Sequence, residues 1–263
     1  MTEATTPNMN TAPSLIEQIK IGDDWLRKVN TFYVMREINL GSPIIKKMFQ
    51  RSYMRVNRDG YFMLNFAEYL VKDKEAVKKI SAALYNSTDK AIKKIENRKA
   101  QLLKLFEQEN IELETTATRR LVGKVPLLSP LSNKTIQLFT QADELHALIL
   151  CGWMYAVIPE NEQKKMVEEL KNTLRVYMGT VRSMMGTTLN AIKTKQARGE
   201  LSEEVSAEIR DADEHIQATA DADLDEGIGA DVDAEVVGEA ATILASSSDD
   251  VQATEIKPAT EPA

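Results

Sequence analysis

The stretch that decides the fold is RRLVGKVPLLSP, which runs from Arg119 to Pro130. Side chains alternate between two faces along it, and this pattern predicts a strand over 118–128. Pro126 has no backbone N–H to give to a sheet, so the strand is expected to be an edge strand or half of a two-stranded ribbon. One face carries Leu121, Val125 and Leu127, and the other carries Thr118, Arg120, Val122 and Lys124.

The two segments after this strand have helical periodicity. Apolar residues recur at three- and four-residue steps over 133–156 and again over 160–192. Ser132 or Asn133 is expected to be the N-cap of the first helix, and Pro159 precedes the second.

A longer amphipathic helix is predicted upstream, over 72–109. At about 1.5 Å per residue, it is roughly 57 Å long if it is unbroken. The run Asn86-Ser87-Thr88-Asp89 could instead cap a second helix, so the continuity of this element stays open.

The region before the long helix mixes strand and helix signals. Residues 29–35 are β-branched and aromatic, which favours a strand, and 14–30 is predicted to be a short amphipathic helix. Ser42-Pro43 predicts the start of a helix, and Asn57-Arg58-Asp59-Gly60 predicts a turn. The expected fold is therefore mainly α: a helical body with a long amphipathic helix and a small β ribbon.

Charge divides the chain into unequal parts. From Glu200 to Ala263 there are 19 acidic residues and two basic ones, which leaves 21 acidic and 31 basic residues in 1–199. The body has a net charge of +10 and the tail a net charge of −17. We expect a disordered N-terminus over 1–13, a basic helical body over 14–198, and an acidic disordered tail over 199–263 that has too few large apolar side chains to fold.

The residue inventory gives no support to an enzyme. With one cysteine and two histidines, Cys151, His146 and His215, no Cys/His zinc site can be assembled. There is no glycine-rich phosphate loop, His-Glu-x-x-His pair or nucleophile elbow. His146 is one helical turn from Asp143, where a structural contact is the expected role. We therefore predict no catalysis, no metal and no cofactor.

Two further features concern calcium and membranes. The run Asp221-Ala-Asp223-Leu-Asp225-Glu-Gly227 begins like a calcium loop, but its glycine is one place late, so a solvated acidic segment is favoured. The longest apolar stretch, 147–158, is shorter than the roughly 20 residues of a bilayer span. The single cysteine suits a reducing compartment. A cytoplasmic protein that is not inserted in a membrane is expected.

Basic residues form two clusters. The first lies on the helix that starts at Pro43, where Lys47, Arg51 and Arg55 are spaced i, i+4, i+8 and form one cationic stripe, with Lys46 and Arg58 beside it. The second comprises Arg119, Arg120, Lys124 and Lys134, on the strand and the next helix start. Both favour contact with phosphates, and the helix N-terminus at Ser132 and Asn133 is expected to hold a backbone phosphate. The alternatives are a solvated helix face for the first and an edge strand with protective charges for the second.

The order of elements over 116–190 resembles a known family. A strand ends at Ser129-Pro130, a helix follows with Leu138-Phe139 and Ala142-Asp143-Glu144-Leu145, and a long helix carries Leu174-Arg175 and Val181-Arg182. The pattern is similar to AcaB-like transcriptional regulators of integrating conjugative elements and large conjugative plasmids, over about 30–195. The resemblance implies a ribbon-helix-helix-like DNA-binding element and a role in controlling transfer genes. Pro126 and the length of the second helix depart from the minimal motif.

These observations predict a homodimeric DNA-binding accessory or transcriptional regulator, whose ribbon forms across the dimer and enters the major groove. The acidic tail is expected to contact the basic body or a basic partner. The rival hypothesis is a helical scaffold of a conjugative transfer system that does not contact nucleic acid. The predicted DNA-binding residues are Thr118, Arg119, Arg120, Lys124, Asn133 and Lys134, helped by Lys47, Arg51 and Arg55.

Overall fold

The structure is a computed structural model that describes residues 32–70, 74–112, 120–198, 210 and 232–249. These residues form five helices and a two-stranded antiparallel sheet, which confirms the mainly α fold class. In chain order the elements are β1 (Val34–Leu40), α1 (Pro43–Leu70), α2 (Lys74–Gln108), β2 (Leu121–Leu127), α3 (Pro130–Met154), α4 (Glu160–Ala197) and α5 (Ala234–Asp249).

The chain divides into two compact units. The first, here called the ribbon unit, consists of 1–58 and 92–170, and it contains β1, β2 and α3. The second, the tail unit, consists of 59–91 and 171–263, and it contains α5. Helices α1, α2 and α4 supply residues to both units.

The strands of the ribbon pair within one chain. Val34 lies opposite Leu127 and Leu40 opposite Leu121, and α3 packs against both strands. β2 was expected to pair with its copy in a second protomer, and this is wrong for its pairing here: its partner is β1. The strand predicted over 29–35 is displaced to Val34–Leu40, because Ile38 and Leu40 supply the alternate buried positions. Residues 14–31 lie outside the described residues.

Aromatic side chains form the core of the ribbon unit. Phe49 of α1 stacks on Tyr53 with their ring centroids 4.7 Å apart, and it meets the edge of Phe139 of α3 at 5.2 Å. Leu40 and Phe106 are also fully buried. Phe49 therefore connects α1, the helix that follows β1, to α3, the helix that follows β2.

The tail unit has a core of aliphatic, methionine and aromatic side chains. Methionine is unbranched and fills irregular gaps between helices. A buried ion pair accompanies this core: Arg182 Nη1 lies 3.1 Å from Asp59 Oδ2 and 3.2 Å from Oδ1. The buried apolar residues of this unit include Met63, Ile80, Leu84, Tyr177, Met178, Val181, Met184, Met185, Leu189 and Ile192.

The turn predicted at Asn57-Arg58-Asp59-Gly60 does not form, since α1 continues through it to Leu70. Turn residues often hydrogen-bond their own backbone, but tertiary partners use these side chains instead. Asn57 Nδ2 donates to the carbonyl oxygen of Pro126 at 3.0 Å, and Asp59 pairs with Arg182. Both side chains are buried. Local turn chemistry is therefore overridden by partners from elsewhere in the chain.

The long helix is confirmed, as α2 covers 35 residues without a break at 86–89. Ser87 and Thr88 are buried, and the Thr88 hydroxyl donates to the carbonyl oxygen of Leu84 at 3.1 Å. A side chain that bonds to the preceding turn leaves the helix intact. The possible cap at this position therefore does not act as one.

In its described residues the acidic tail differs from the expectation of disorder. Residues Ala234–Asp249 form α5, and Val236, Ala240 and Leu244 on it are buried. Three small or medium apolar side chains at i, i+4 and i+8 are enough to give the helix one packed face. The rest of the tail, apart from Arg210, and the N-terminal segment 1–13 lie outside the described residues.

Candidate nucleic-acid interface

The ribbon has one face turned inward and one turned outward. Ile38, Leu40 and Val125 are buried on the inward face. The outward face carries Met35, Glu37 and Asn39 from β1, and Arg120, Val122 and Lys124 from the second strand and the residue before it. This division agrees with the alternation read from the sequence, which placed Arg120, Val122 and Lys124 together.

Each described cation of the outward face lies beside a polar residue of β1. Lys124 is directly opposite Glu37 in the strand register, so the two side chains share a face as a cross-strand pair of opposite charge. Arg120 Nε donates to Asn39 Oδ1 at 2.7 Å. Both cations are exposed. The ribbon therefore presents an arginine and a lysine to solvent, each positioned by a neighbour on β1. Thr118 and Arg119 lie outside the described residues.

Pro126 is placed so that its missing N–H costs nothing. Its carbonyl oxygen accepts hydrogen bonds from Tyr53 Oη at 2.7 Å and from Asn57 Nδ2 at 3.0 Å. In a strand, the N–H and C=O of one residue point to the same edge. The proline nitrogen therefore faces the outer edge of β2, away from β1, and α1 side chains occupy that edge.

The helix after the ribbon begins earlier than predicted. Its N-cap is Ser129, not Ser132 or Asn133, and Pro130 occupies the first turn. Ser132 completes a capping box: its backbone N–H donates to Ser129 Oγ, and its own Oγ accepts from the Ser129 N–H at 3.1 Å. Ser129 prevails because proline suits a first helical position and lacks the N–H that would otherwise need a partner.

The capping box also uses the Ser132 groups that were predicted to hold a phosphate. The Ser132 hydroxyl is buried, donates to Asn57 Oδ1, and accepts from the Leu128 N–H at 3.2 Å. The anion site expected at Ser132 is therefore filled by the protein itself. Asn133 is exposed on the next position, and Lys134 is half-buried. Asn133 remains accessible beside the ribbon, whereas the helix end behind it is already satisfied.

The cationic stripe lies on a different side of α1 from Tyr53 and Asn57, the residues that contact the ribbon. Lys47 and Arg51 are exposed and Arg55 is half-buried. Arg51 and Arg55 are each two residues from Tyr53, which puts them about 160° around the helix from it. Arg55 Nη2 donates to the carbonyl oxygen of Arg51 at 3.4 Å, along the stripe. The contacts that fix α1 to β2 thus do not bring the stripe and the ribbon onto one side of this helix.

Asp143 has a role that its position on an apolar helix did not reveal. Its two carboxylate oxygens accept from the backbone N–H groups of Gly41 and Ser42, at 2.8 and 2.7 Å. This buried carboxylate fixes the junction between β1 and α1 to α3. An acidic residue inside an apolar run was the available signal for such a buried partner. His146 is buried on the same helix.

Two cations of α2 in the ribbon unit, Arg98 and Lys99, contact nearby acids and an amide. Lys99 Nζ donates to Gln141 Oε1 at 2.7 Å and pairs with Glu144, and Arg98 lies 3.8 Å from Glu169. These contacts tie α2 to α3 and α4. Such residues contribute to the net charge of the body without forming part of the outward ribbon face.

A further basic segment was missed at the sequence level. No acidic residue lies between Glu169 and Glu200, while this segment holds Lys171, Arg175, Arg182, Lys193, Lys195 and Arg198. The absence of acids over 30 positions was the signal. Arg182 is used by Asp59, Lys195 is buried, and Lys193 and Arg198 are exposed. The basic character of the body thus extends into the tail unit.

Cys151, the one cysteine of the chain, is half-buried on α3. Burial raises the pKa of the Cys151 thiol, which lowers its thiolate fraction and its reactivity. The described residues contain no cluster of three or more His, Cys, Asp or Glu that could hold a metal ion. Among the helices described, none has both the length and the apolar character needed to cross a membrane. The calcium-like run at 221–227 lies outside the described residues.

Comparisons with known proteins give one match. The sequence matches no protein-family model and no curated protein. The structure is similar to the crystal structure of AcaB from uropathogenic E. coli, with a TM-score of 0.60 and 16% sequence identity. The match covers 71% of this chain and 100% of that chain. At this identity the likeness shows the fold: the chain shares its arrangement of ribbon and helices with AcaB.

Proposed function

We propose that this chain is a non-enzymatic DNA-binding protein that uses the outward face of its ribbon. The observation that carries the proposal is the exposure of Arg120 and Lys124 on one face of a two-stranded ribbon, with Asn133 exposed on the helix that follows. A ribbon of two strands fits the major groove, where arginine and lysine reach guanine acceptors. The net charge of +10 on residues 1–199 favours the encounter with a polyanion.

We further propose that it serves as an accessory or transcriptional regulator of a plasmid or integrating conjugative element, in the cytoplasm. The support is the fold shared with AcaB, together with the sequence pattern over 116–190. Lys47, Arg51 and Arg55 would then contact the phosphate backbone from another side of α1, which adds affinity but no base recognition.

A homodimer is also proposed, with β1 as the strand that meets its copy. Within the described residues the sheet has two strands, and the outer edge of β2 is occupied at Pro126 by Tyr53 and Asn57. The other edge belongs to β1, where Val34 and Met35 are exposed, 67% and 37%. An exposed apolar edge strand is a template for pairing with another chain. Sedimentation equilibrium of Val34→Lys against the unmodified protein tests this: a shift toward monomer supports it.

The DNA proposal is tested by mobility shift of the full chain on a mixed-sequence duplex over a salt series. Replacing Arg120 and Lys124 by glutamine should weaken binding at least about tenfold at low salt and make it less salt-dependent. The matched control removes two lysines of α4, Lys164 and Lys165, which lie beside Glu160 at 2.6 Å and Glu169 at 4.0 Å. Equal losses in both variants would contradict the assignment to the ribbon.

A scaffold without nucleic-acid contact is the second candidate. A group of large apolar side chains favours it: Trp153, Met154 and Tyr155 at the end of α3 are 47%, 69% and 54% exposed. Exposed aromatic residues in succession are typical of protein-binding surfaces. If the full chain binds neither DNA nor RNA in dilute buffer, the scaffold becomes the better proposal.

A further inference from the structure

The start of the tail helix α5 is attached to two helices of the tail unit. Lys90 of α2 donates to Asp233 Oδ2 at 2.9 Å, and it lies 3.8 Å from Glu235. On the other side, the Asp233 backbone N–H donates to Thr180 Oγ1 of α4 at 2.9 Å. The residue that precedes α5 is thus held by both α2 and α4.

One face of α5 is packed and the other carries acid. Val236, Ala240 and Leu244 are 7%, 1% and 3% exposed, and their i, i+4, i+8 spacing places them in one row. Glu235 and Glu239 are exposed. The packed row and the hydrogen bonds of Asp233 together make the docking of α5 a specific contact and not a diffuse attraction between charges.

The unit that receives α5 also contains the basic segment without acids, 170–199. The hydrogen bond and charge of Asp233 raise the pKa of Lys90, in keeping with an attractive pair. The segment attached to α5 belongs to a tail with a net charge of −17. Docking of α5 therefore attaches an acidic segment to the unit that contains this basic segment.

We propose that α5 is an intramolecular ligand of the tail unit, which holds the acidic tail on the body as a competitor of nucleic acid. This inference rests on the proposed DNA binding. The tail and a phosphate backbone have the same sign of charge, so each lowers the affinity of the body for the other.

The docking is suited to be reversible. Among the described side chains of α5, the buried row consists of one leucine, one valine and one alanine, whereas sixteen residues of helix must be ordered. Gly238 lies inside the helix and weakens it further. Because docking occurs within one chain, it does not depend on the protein concentration. If about nine in ten molecules are docked and the docked form does not bind DNA, the apparent affinity for DNA is about tenfold lower than that of the undocked form.

The test uses two full-chain variants with the same tail charge. Val236→Ser with Leu244→Ser removes the packed row, and Ala234→Ser with Ala245→Ser is the control, since both of its sites are exposed. Hydrogen exchange of the α5 amides reports docking, and titration with a mixed-sequence DNA duplex at low salt reports competition. We expect the first variant to lose protection in α5 and to bind DNA about tenfold more tightly, while the control keeps both properties of the unmodified protein.

Three results would overturn the proposal. The α5 amides could be unprotected in the unmodified chain, which removes the docking itself. Undocking could leave measurable DNA affinity unchanged, which removes the competition while the proposed function stands. If no variant binds DNA while hydrogen exchange still shows docking, the proposed function fails and the competition fails with it.

Discussion

Helices α3 and α5 differ in how many side chains they bury and in how their first turns are stabilised. α3 buries a wide face that includes Phe139, and it begins with the capping box of Ser129 and Ser132. The described side chains of α5 bury Val236, Ala240 and Leu244 but no aromatic ring. Composition alone predicted order for the first and disorder for the second, and in the structure both are helices.

The difference shows where each helix obtains its stability. In α3 the local start signals, the apolar periodicity and the tertiary contacts all favour one structure, so the segment is recognisable from sequence. In α5 a few side chains and the Lys90–Asp233 pair must offset the loss of chain entropy. We therefore expect α3 to unfold only with its unit and α5 to open independently.

The largest expected effect comes from Phe139→Ala. The ring is fully buried against Phe49, and truncating such a side chain costs about 3–5 kcal/mol of unfolding free energy. Urea denaturation followed by circular dichroism measures it. The matching change in α5, Leu244→Ala, should reduce hydrogen-exchange protection of α5 and leave the ribbon unit unaltered. Equal loss of ribbon-unit protection in Leu244→Ala would contradict independent opening.

Asp143→Ala should be the next largest change. It leaves the Gly41 and Ser42 N–H groups without their acceptor, at about 1–3 kcal/mol for each group that stays dry. Asp143→Asn, which keeps one acceptor oxygen, should cost less. The comparison is made by urea unfolding. An alanine variant as stable as the asparagine variant would show that water replaces the carboxylate.

A smaller loss is expected from Gly152→Ala at the end of α3. A methyl group there would lie 2.8 Å from Ile158 Cγ1 and 3.3 Å from Phe106 Cζ. Overpacking costs about 1–3 kcal/mol, and the better helix propensity of alanine returns up to about 1 kcal/mol. Thermal unfolding should show a net loss. Gly186→Ala in α4 is the control, because no atom lies within 4 Å of its added methyl group, and it should stabilise the protein.

The smallest effect should be a gain in α5. A methyl group at Gly238 meets nothing within 4 Å, so Gly238→Ala should stabilise the helix by up to about 1 kcal/mol. The expected result is slower hydrogen exchange across α5 and unchanged exchange in α3. If exchange in α5 does not slow, helix propensity does not limit its docking.

Much of the candidate site could be read from sequence, because it depends on alternation. Arg120, Val122 and Lys124 share the outward face as predicted, since side chains in a strand alternate whatever the partner strand is. The partner itself could not be read. The strand predicted over 29–35 had no assigned partner, and β2 was expected to pair with its copy in a second chain, whereas the packing of Ile38 and Leu40 selects β1.

The polar residues were the least predictable. Ser129 and Ser132 both suit an N-cap, and Asn57 suits a turn. In the structure Ser129 is the N-cap, Ser132 completes its capping box, and Asn57 lies within α1. Asn57 instead joins Pro126 and Ser132, 69 and 75 positions away in the chain. A polar side chain that is buried forms hydrogen bonds with the groups that surround it in the folded structure. When those groups are distant in the chain, the sequence does not identify them.

The periodicity of apolar residues was sufficient to determine α2, α4 and the strand around Val125, and the distribution of charged residues was sufficient to determine the contrast between a basic body and an acidic tail, because period and charge are local properties of a chain. Only the tertiary structure decided that β2 pairs with β1, that Asp143 binds the backbone after β1, and that α5 returns to Lys90 and Thr180. Each of these contacts joins groups that are distant in sequence and that leave water together when the chain folds. A polar group that leaves water must find a hydrogen-bond partner, and only the folded structure determines which partner is within reach.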